Sequence, residues 1–285
     1  MVSLGKQLFF DPRLSGYGSI SCASCHNPGL NWCDGLHNAS GMTRFPLGRH
    51  TPSILNVAFY ASFFWDGRAD TLEKQARQHL LSPGIMLGGT ENDVVHRIGR
   101  FAGYRQAFHQ VFGETGVTLK NIVAAITAFE RTIVTGNSPF DRWIAGDQDA
   151  LSESARRGFS LFTGKAKCAN CHSGPAFSDS GFHNTGLNSI DPGLFGVSRK
   201  NRDRNRFKTP GLRQVAGTAP YMHDGSKPTL VSVIEFYNRG GDRPDAANEL
   251  SPLNLSPQEQ QDLIAFLKSL TGETAIVTMP ILPQP

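Results

Sequence analysis

The chain has 285 residues, of which 39% are hydrophobic and 18% charged, and it carries a net charge of +4. This length suits about two domains, and 19 Phe in so weakly charged a chain exclude intrinsic disorder. No stretch approaches the ~18 continuous apolar residues of a membrane helix, so a soluble, loop-rich protein without a membrane span is expected.

The N-terminus, Met1-Val-Ser-Leu-Gly-Lys-Gln-Leu-Phe-Phe, lacks the basic start and apolar run of a secretory leader. A first helix is expected around Gly5-x-x-Leu8-Phe9. It precedes Cys22-Ala-Ser-Cys25-His26, a pattern that returns as Cys168-Ala-Asn-Cys171-His172. Both are c-type haem attachment sequences. Two cysteines three apart share one side of a helical turn, where both reach porphyrin vinyl groups, and the following His swings beneath the ring to bind iron. A zinc site made of two knuckles would place the pairs within ~12–20 residues and would not need the trailing His twice. Two covalent haem c groups imply attachment in the periplasm, and hence a leader that has been removed. The fifth cysteine, Cys33, reads as a buried or half-buried free thiol.

Further along, helices are expected at Asp70–Leu81, with Glu73 as a capping-box partner, at 92–100, at 106–112, and around Ala124–Thr132. Gly136-Asn-Ser-Pro-Phe-Asp-Arg-Trp143-Ile-Ala-Gly146 is a natural boundary. A helix at 152–162 carries Gly158-x-x-Leu161-Phe162, the counterpart of Gly5-x-x-Leu8-Phe9. Ser226 and Pro228 are set to open a helix on which Leu230, Val233, Ile234 and Tyr237 share a face. Ser256-Pro-Gln-Glu259 opens the last helix as a capping box, and Gly272 closes it. The plan of helix, haem loop and terminal helix therefore occurs twice. The expected fold is mainly α, with two internally duplicated cytochrome c-like domains and long loops, residues 1–137 and 138–285.

The chain resembles the bacterial dihaem cytochrome c peroxidase and MauG family. The resemblance rests on Leu4-Gly-Lys-Gln-Leu-Phe-Phe-Asp-Pro-Arg-Leu-Ser15, Thr51-Pro-Ser-Ile-Leu-Asn56, Phe64-Trp65-Asp-Gly-Arg68, Ser138-Pro-Phe-Asp-Arg142, Pro220-Tyr-Met-His-Asp-Gly225 and Pro280-Ile-Leu-Pro283. It implies an oxidoreductase whose N-terminal haem, on His26, reacts with hydrogen peroxide, and whose C-terminal haem, on His172, stores or relays electrons. It also implies that Trp65 is the aromatic residue between them. Tyr237 falls at the position of the second haem's sixth ligand, which is Met in typical peroxidases and Tyr in MauG-like proteins. A phenolate favours ferric and higher oxidation states. Met222 and Met279 are the alternative ligands.

Several positions depart from the family. Gln75 is present, but the distal Glu, a general acid–base group, is replaced by Ile85. His79 stands where Pro is common, as a displaced acid–base group, an iron ligand, or an ordinary helix residue. The loop Gly35–Arg44 has His37 away from the expected switch position, with Met42 nearest to it, so no His-based reductive switch is expected. The interdomain calcium implied by the resemblance would meet His50 in place of an Asn, with carbonyls from Lys208–Pro210 nearby. The run Arg199–Lys208 holds six basic residues in ten. It reads either as a solvated loop or as a docking site for an acidic protein, whether electron donor or protein substrate. No nucleic-acid motif occurs, and His96, His109 and His183 have no assigned role, while His223 reads as structural. Family peroxidases are often dimers, which makes a homodimer one of the assemblies the resemblance allows. Three readings follow: a MauG-like enzyme forming high-valent haem with peroxide to oxidise a protein partner, a peroxidase fed by a small cytochrome, or a non-catalytic dihaem electron carrier.

Overall fold

A computed structural model describes residues 1–41, 47–243 and 247–284. It is mainly helical, with four two-residue strands paired antiparallel as β1(Thr135–Gly136) with β4(Glu273–Thr274) and β2(Phe182–His183) with β3(Phe207–Lys208). The chain forms two compact units, neither continuous in sequence. The first comprises Met1–Ala58, Ala69–Val134 and Ala275–Pro285; the second comprises Phe59–Arg68 and Thr135–Thr274. One cut after residue 137 would have assigned both 59–68 and the tail to the other unit.

In the first unit α1(Val2–Phe10) lies across α6(Leu119–Glu130), with α2(Cys22–Cys25), α3(Leu72–Leu81), α4(Glu91–Gly99) and α5(Ala102–Phe112) around them. Gly5 marks the crossing, because a Cβ there would sit 1.8 Å from the Ala125 carbonyl oxygen. Phe9, Phe10, Trp32 and Phe129 pack edge to face or tilted, with centroids 5.3–6.3 Å apart. Asp11 is fully buried; Arg13 pairs with it at 2.6 Å and Tyr104 donates its hydroxyl to it at 2.7 Å. Arg13 also donates to the Pro283 carbonyl, and Gln7 to that of Ile281, which fastens the tail.

The second unit repeats this crossing with α8(Glu153–Thr163) and α11(Pro257–Ser269), accompanied by α7(Pro139–Ile144), α9(Phe195–Ser198) and α10(Leu230–Asn238). Gly158 plays the part of Gly5, its imaginary Cβ 1.9 Å from the Asp262 carbonyl oxygen. Phe140, Phe159, Phe162, Phe177 and Phe266 form the aromatic centre. Asp262 takes an ion pair from Arg157 and the Ser154 hydroxyl, and the Arg157 hydrogen bonds hold its carboxyl down to about 2.

The expected capping box at Ser256 and Glu259 is present. Four expected ends move. Thr71 caps α3, and Glu73 pairs instead with Arg131. Thr229, in a box with Ser232, starts α10, so Ser226 and Pro228 lie before the helix. Gly272 does not close α11, whose C-cap is Leu270; it allows close passage by the Gly136 carbonyl oxygen, where β4 meets β1. α5 begins at Ala102, earlier than expected, because its first turn contains Tyr104, anchored on Asp11.

Candidate functional site

In the first unit Ser21 caps the single turn of α2, and its backbone N–H bonds the Ser24 hydroxyl in return. This places Cys22 and Cys25 on one side of the turn. The His26 N–H donates to the Cys22 carbonyl at 2.9 Å, and the chain then leaves helical geometry. Asn31 and Trp32 take left-handed φ values of 54° and 63° and return the chain so that the Trp32 carbonyl meets His26 Nδ1 at 3.1 Å. A carbonyl accepts only from a protonated nitrogen, so Nε2 keeps its lone pair for a metal. Burial lowers the pKa of His26 and keeps the ring neutral.

The second unit repeats the arrangement. His172 N–H donates to the Cys168 carbonyl at 2.9 Å, and His172 Nδ1 donates to the carbonyl of Phe177, at φ 53°, over 3.0 Å. Burial again lowers the pKa of the ring. Each His also has a proline carbonyl acting on it, from Pro52 and from Pro210. The repeated Thr51-Pro52 and Thr209-Pro210 are a duplication signal that the sequence reading passed over. These pockets suit covalent haem: paired thiols beside a neutral imidazole with its second nitrogen available.

α10 carries Tyr237 near the second pair of cysteines, and burial, together with Cys168 and Cys171, pushes its phenol up. Leu230 and Ile234 are buried on that face as expected, Val233 is half-buried, and Phe236 is buried as well. Met222 is half-buried in a turn with φ 71°, whereas Met279 is 74% exposed in the tail, a poor place for an alternative ligand.

α3 places Gln75 and His79 one turn apart, both half-buried, and the Gln75 amide donates to His79 Nδ1 at 2.8 Å. That contact puts the imidazole proton on Nε2. Ile85 lies half-buried in the turn after α3. His37 is exposed beside Asn38, and Met42 lies outside the described residues. His50 is buried, with Nδ1 at 2.8 Å from the Leu36 carbonyl.

Trp65 belongs to the second unit, where it is 9% exposed. Its carbonyl accepts the Lys208 N–H, and its ring stands edge-on to His223 at 6.5 Å. His223 itself stacks on Phe207 at 3.6 Å. The Lys208 ammonium lies 4.3 Å above the Tyr60 ring, and burial pushes its pKa down to about 8. His183 was without a role in the sequence. Its pKa is raised by the Cys171 sulfur while that is a free thiol, and by its bridge to Glu249 at 2.8 Å and Asp179 at 2.9 Å. Cys171, Asp179 and His183 bring ligand atoms within 4.8 Å of one another, but a haem thioether at Cys171 would remove the thiolate a metal needs. Of the basic run, Arg199, Lys200, Arg202 and Arg204 are exposed, while Arg206 is held by Glu249 and the Phe182 carbonyl.

No helix among the described residues is long and apolar enough to cross a membrane. A family model described as di-haem cytochrome c peroxidase matches residues 1–149, and one described as cytochrome c matches 155–271. The methylamine utilization protein MauG of Methylorubrum extorquens is 47% identical, over 99% of this chain and 81% of its own length. A cytochrome-c peroxidase, IdrP1, of a Pseudomonas species is 38% identical over 99% of this chain and 84% of its own. Among solved structures, a MauG-like protein associated with microbial copper homeostasis superposes with a TM-score of 0.90 at 34% identity, covering 95% of this chain and 89% of that one.

Proposed function

Since the chain belongs to the dihaem cytochrome c peroxidase and MauG family and is thus a peroxide-dependent dihaem oxidoreductase carrying haem c, we propose that it works in the MauG manner, using peroxide to oxidise a protein partner. The observation that carries this reading is the position of Tyr237, a buried phenol beside the Cys168–Cys171 pair. Haem iron, when bound, supplies the two-electron reaction with hydrogen peroxide.

The residues divide the remaining work. Cys22 and Cys25, and Cys168 and Cys171, would anchor the two groups, and His26 and His172, each protonated at Nδ1, would offer their second ring nitrogen to the metal. Tyr237 would complete the second centre with its phenol oxygen, giving up its proton, and the charge it brings would favour higher oxidation states. At the first centre Gln75 would orient His79 so that its Nε2–H could give a proton to the peroxide substrate, a task that Ile85 cannot perform. An iron-ligand role for His79 would need the other tautomer. Trp65 shares the oxidising equivalents, and the exposed cations at 199–204 meet an acidic protein surface. Haem attachment of this kind places the mature protein in the periplasm. A calcium ion rests on resemblance alone and forms no part of the proposal; a homodimer has the same standing.

Replacing Tyr237 by Phe should change the second haem's absorption and paramagnetic resonance spectra, and an unchanged spectrum would remove the ligand assignment. Mixing oxidised protein with stoichiometric peroxide should give a rapid spectral change without prior reduction. The relatives named as cytochrome-c peroxidases support a second reading, reduction of peroxide with electrons from a small cytochrome. A reaction that waits for reduction of one haem would favour it.

A further inference from the structure

Glu130, the last residue of α6, is 6% exposed, and its Oε2 is fully enclosed without a hydrogen-bond partner. A buried carboxylate in this condition is costly unless a compensating charge appears. The nearest cation is already engaged: Arg131 makes two bonds to Glu73, at 2.7 and 3.1 Å, and Thr127 adds its hydroxyl to the same carboxylate. Its neighbour Phe129 packs against Trp32 with ring centroids 6.2 Å apart, and the Trp32 carbonyl holds His26, so the end of α6 meets the loop of the first haem. Among the described residues the charged groups acting on Glu130 are Arg131 on its own helix end and Glu73 on α3, while Cys22 on α2, also within electrostatic reach, loses its ionisable thiol in a thioether. α1 crosses α6 at Gly5 and contributes none, its one charged side chain, Lys6, being turned to Thr278.

We propose that Glu130 is the proton acceptor coupled to reduction of the first haem. Ferric haem carries one more positive charge than ferrous haem, and that charge is what an ionised Glu130 lacks in its pocket. When an external one-electron donor reduces the iron, the compensation disappears and Glu130 takes one proton from solvent. One electron and one proton enter, and no bond other than the carboxyl O–H forms. The partly exposed Glu73–Arg131 pair lies on the solvent side of the site. Burial pushes Glu130 up to about 8, within reach of such a switch. The proposal rests on haem attachment at Cys22 and Cys25, and it is independent of Tyr237 and of the identity of the protein substrate.

The test is a spectroelectrochemical titration of the holoprotein from pH 6 to 9, with the haem c content fixed beforehand by pyridine haemochrome. A content of one haem would locate the failure in the attachment reading. In the wild type the first haem's reduction equilibrium should weaken by up to tenfold per pH unit, about 59 mV. In Glu130→Gln this slope should flatten, while the second haem is unchanged. Reduced-minus-oxidised infrared difference spectra should show a protonated-carboxyl band, sensitive to D2O, that Glu130→Gln lacks. A flat wild-type titration overturns the proposal without recourse to any variant, as do equal slopes in the two proteins.

Discussion

His79 and Gln75 show how much one hydrogen bond decides. The same imidazole could close the first iron as a ligand or serve it as an acid, and the choice depends on which nitrogen holds the proton. With Gln75 donating to Nδ1, the proton is on Nε2 and the ring is set up as a donor. Replacing His79 by Ala should slow the reaction of oxidised protein with peroxide by roughly 100- to 10,000-fold, the usual worth of a general acid. Stopped-flow rates check this, and a change of the first haem from low to high spin would instead reveal a ligand. The haem anchors were legible in sequence because attachment needs five consecutive residues. The bridge from His183 to Glu249 and the position of Lys208 over Tyr60 were not, since each joins segments far apart in the chain.

At the scale of elements, the two glycines are the clearest link from sequence to fold. Gly5 and Gly158 permit an N-terminal helix to lie directly on a terminal helix, and the pattern Gly-x-x-Leu-Phe announces both crossings. An added methyl at Gly158 would meet backbone, not a side chain that can turn away, and would also press on Phe266 Cβ at 2.8 Å. Gly158→Ala should therefore cost at least about 1–3 kcal/mol through overpacking. Thermal unfolding of the holoprotein should show a lowered Tm, and an unchanged Tm would mean that the crossing is looser than its geometry. Helix ends were less legible than helices. α10 begins at Thr229, not at Ser226, because a box with Ser232 competes successfully against a Ser–Pro pair. Tyr104 extends α5 backward through a bond to Asp11 that no local pattern shows.

For the whole molecule, duplication was readable, whereas the exchange of segments was not. Residues 59–68 carry no compositional mark of belonging with the second unit, and the apolar, proline-rich tail carries no periodic pattern that would assign it to the first. Yet the tail is bonded at Gln7 and Arg13, and Pro283 lies against Gly103, where a Cβ would be 2.8 Å away. Removing residues 275–285 should loosen α1 and α5 while leaving α8 and α11 protected. Amide hydrogen exchange resolves this, and uniform protection throughout would show that the tail is merely resting on the surface.

That tail also reverses an order. A chain leaves the ribosome, and any export channel, from its N-terminal side onward, and domains generally fold in that sequence. Here the first unit to emerge is finished after the second, because its closing segment follows the whole of the second unit in the chain. A chain interrupted anywhere upstream leaves that unit without its clasp, so synthesis past the second unit becomes a condition for completing the first haem's housing.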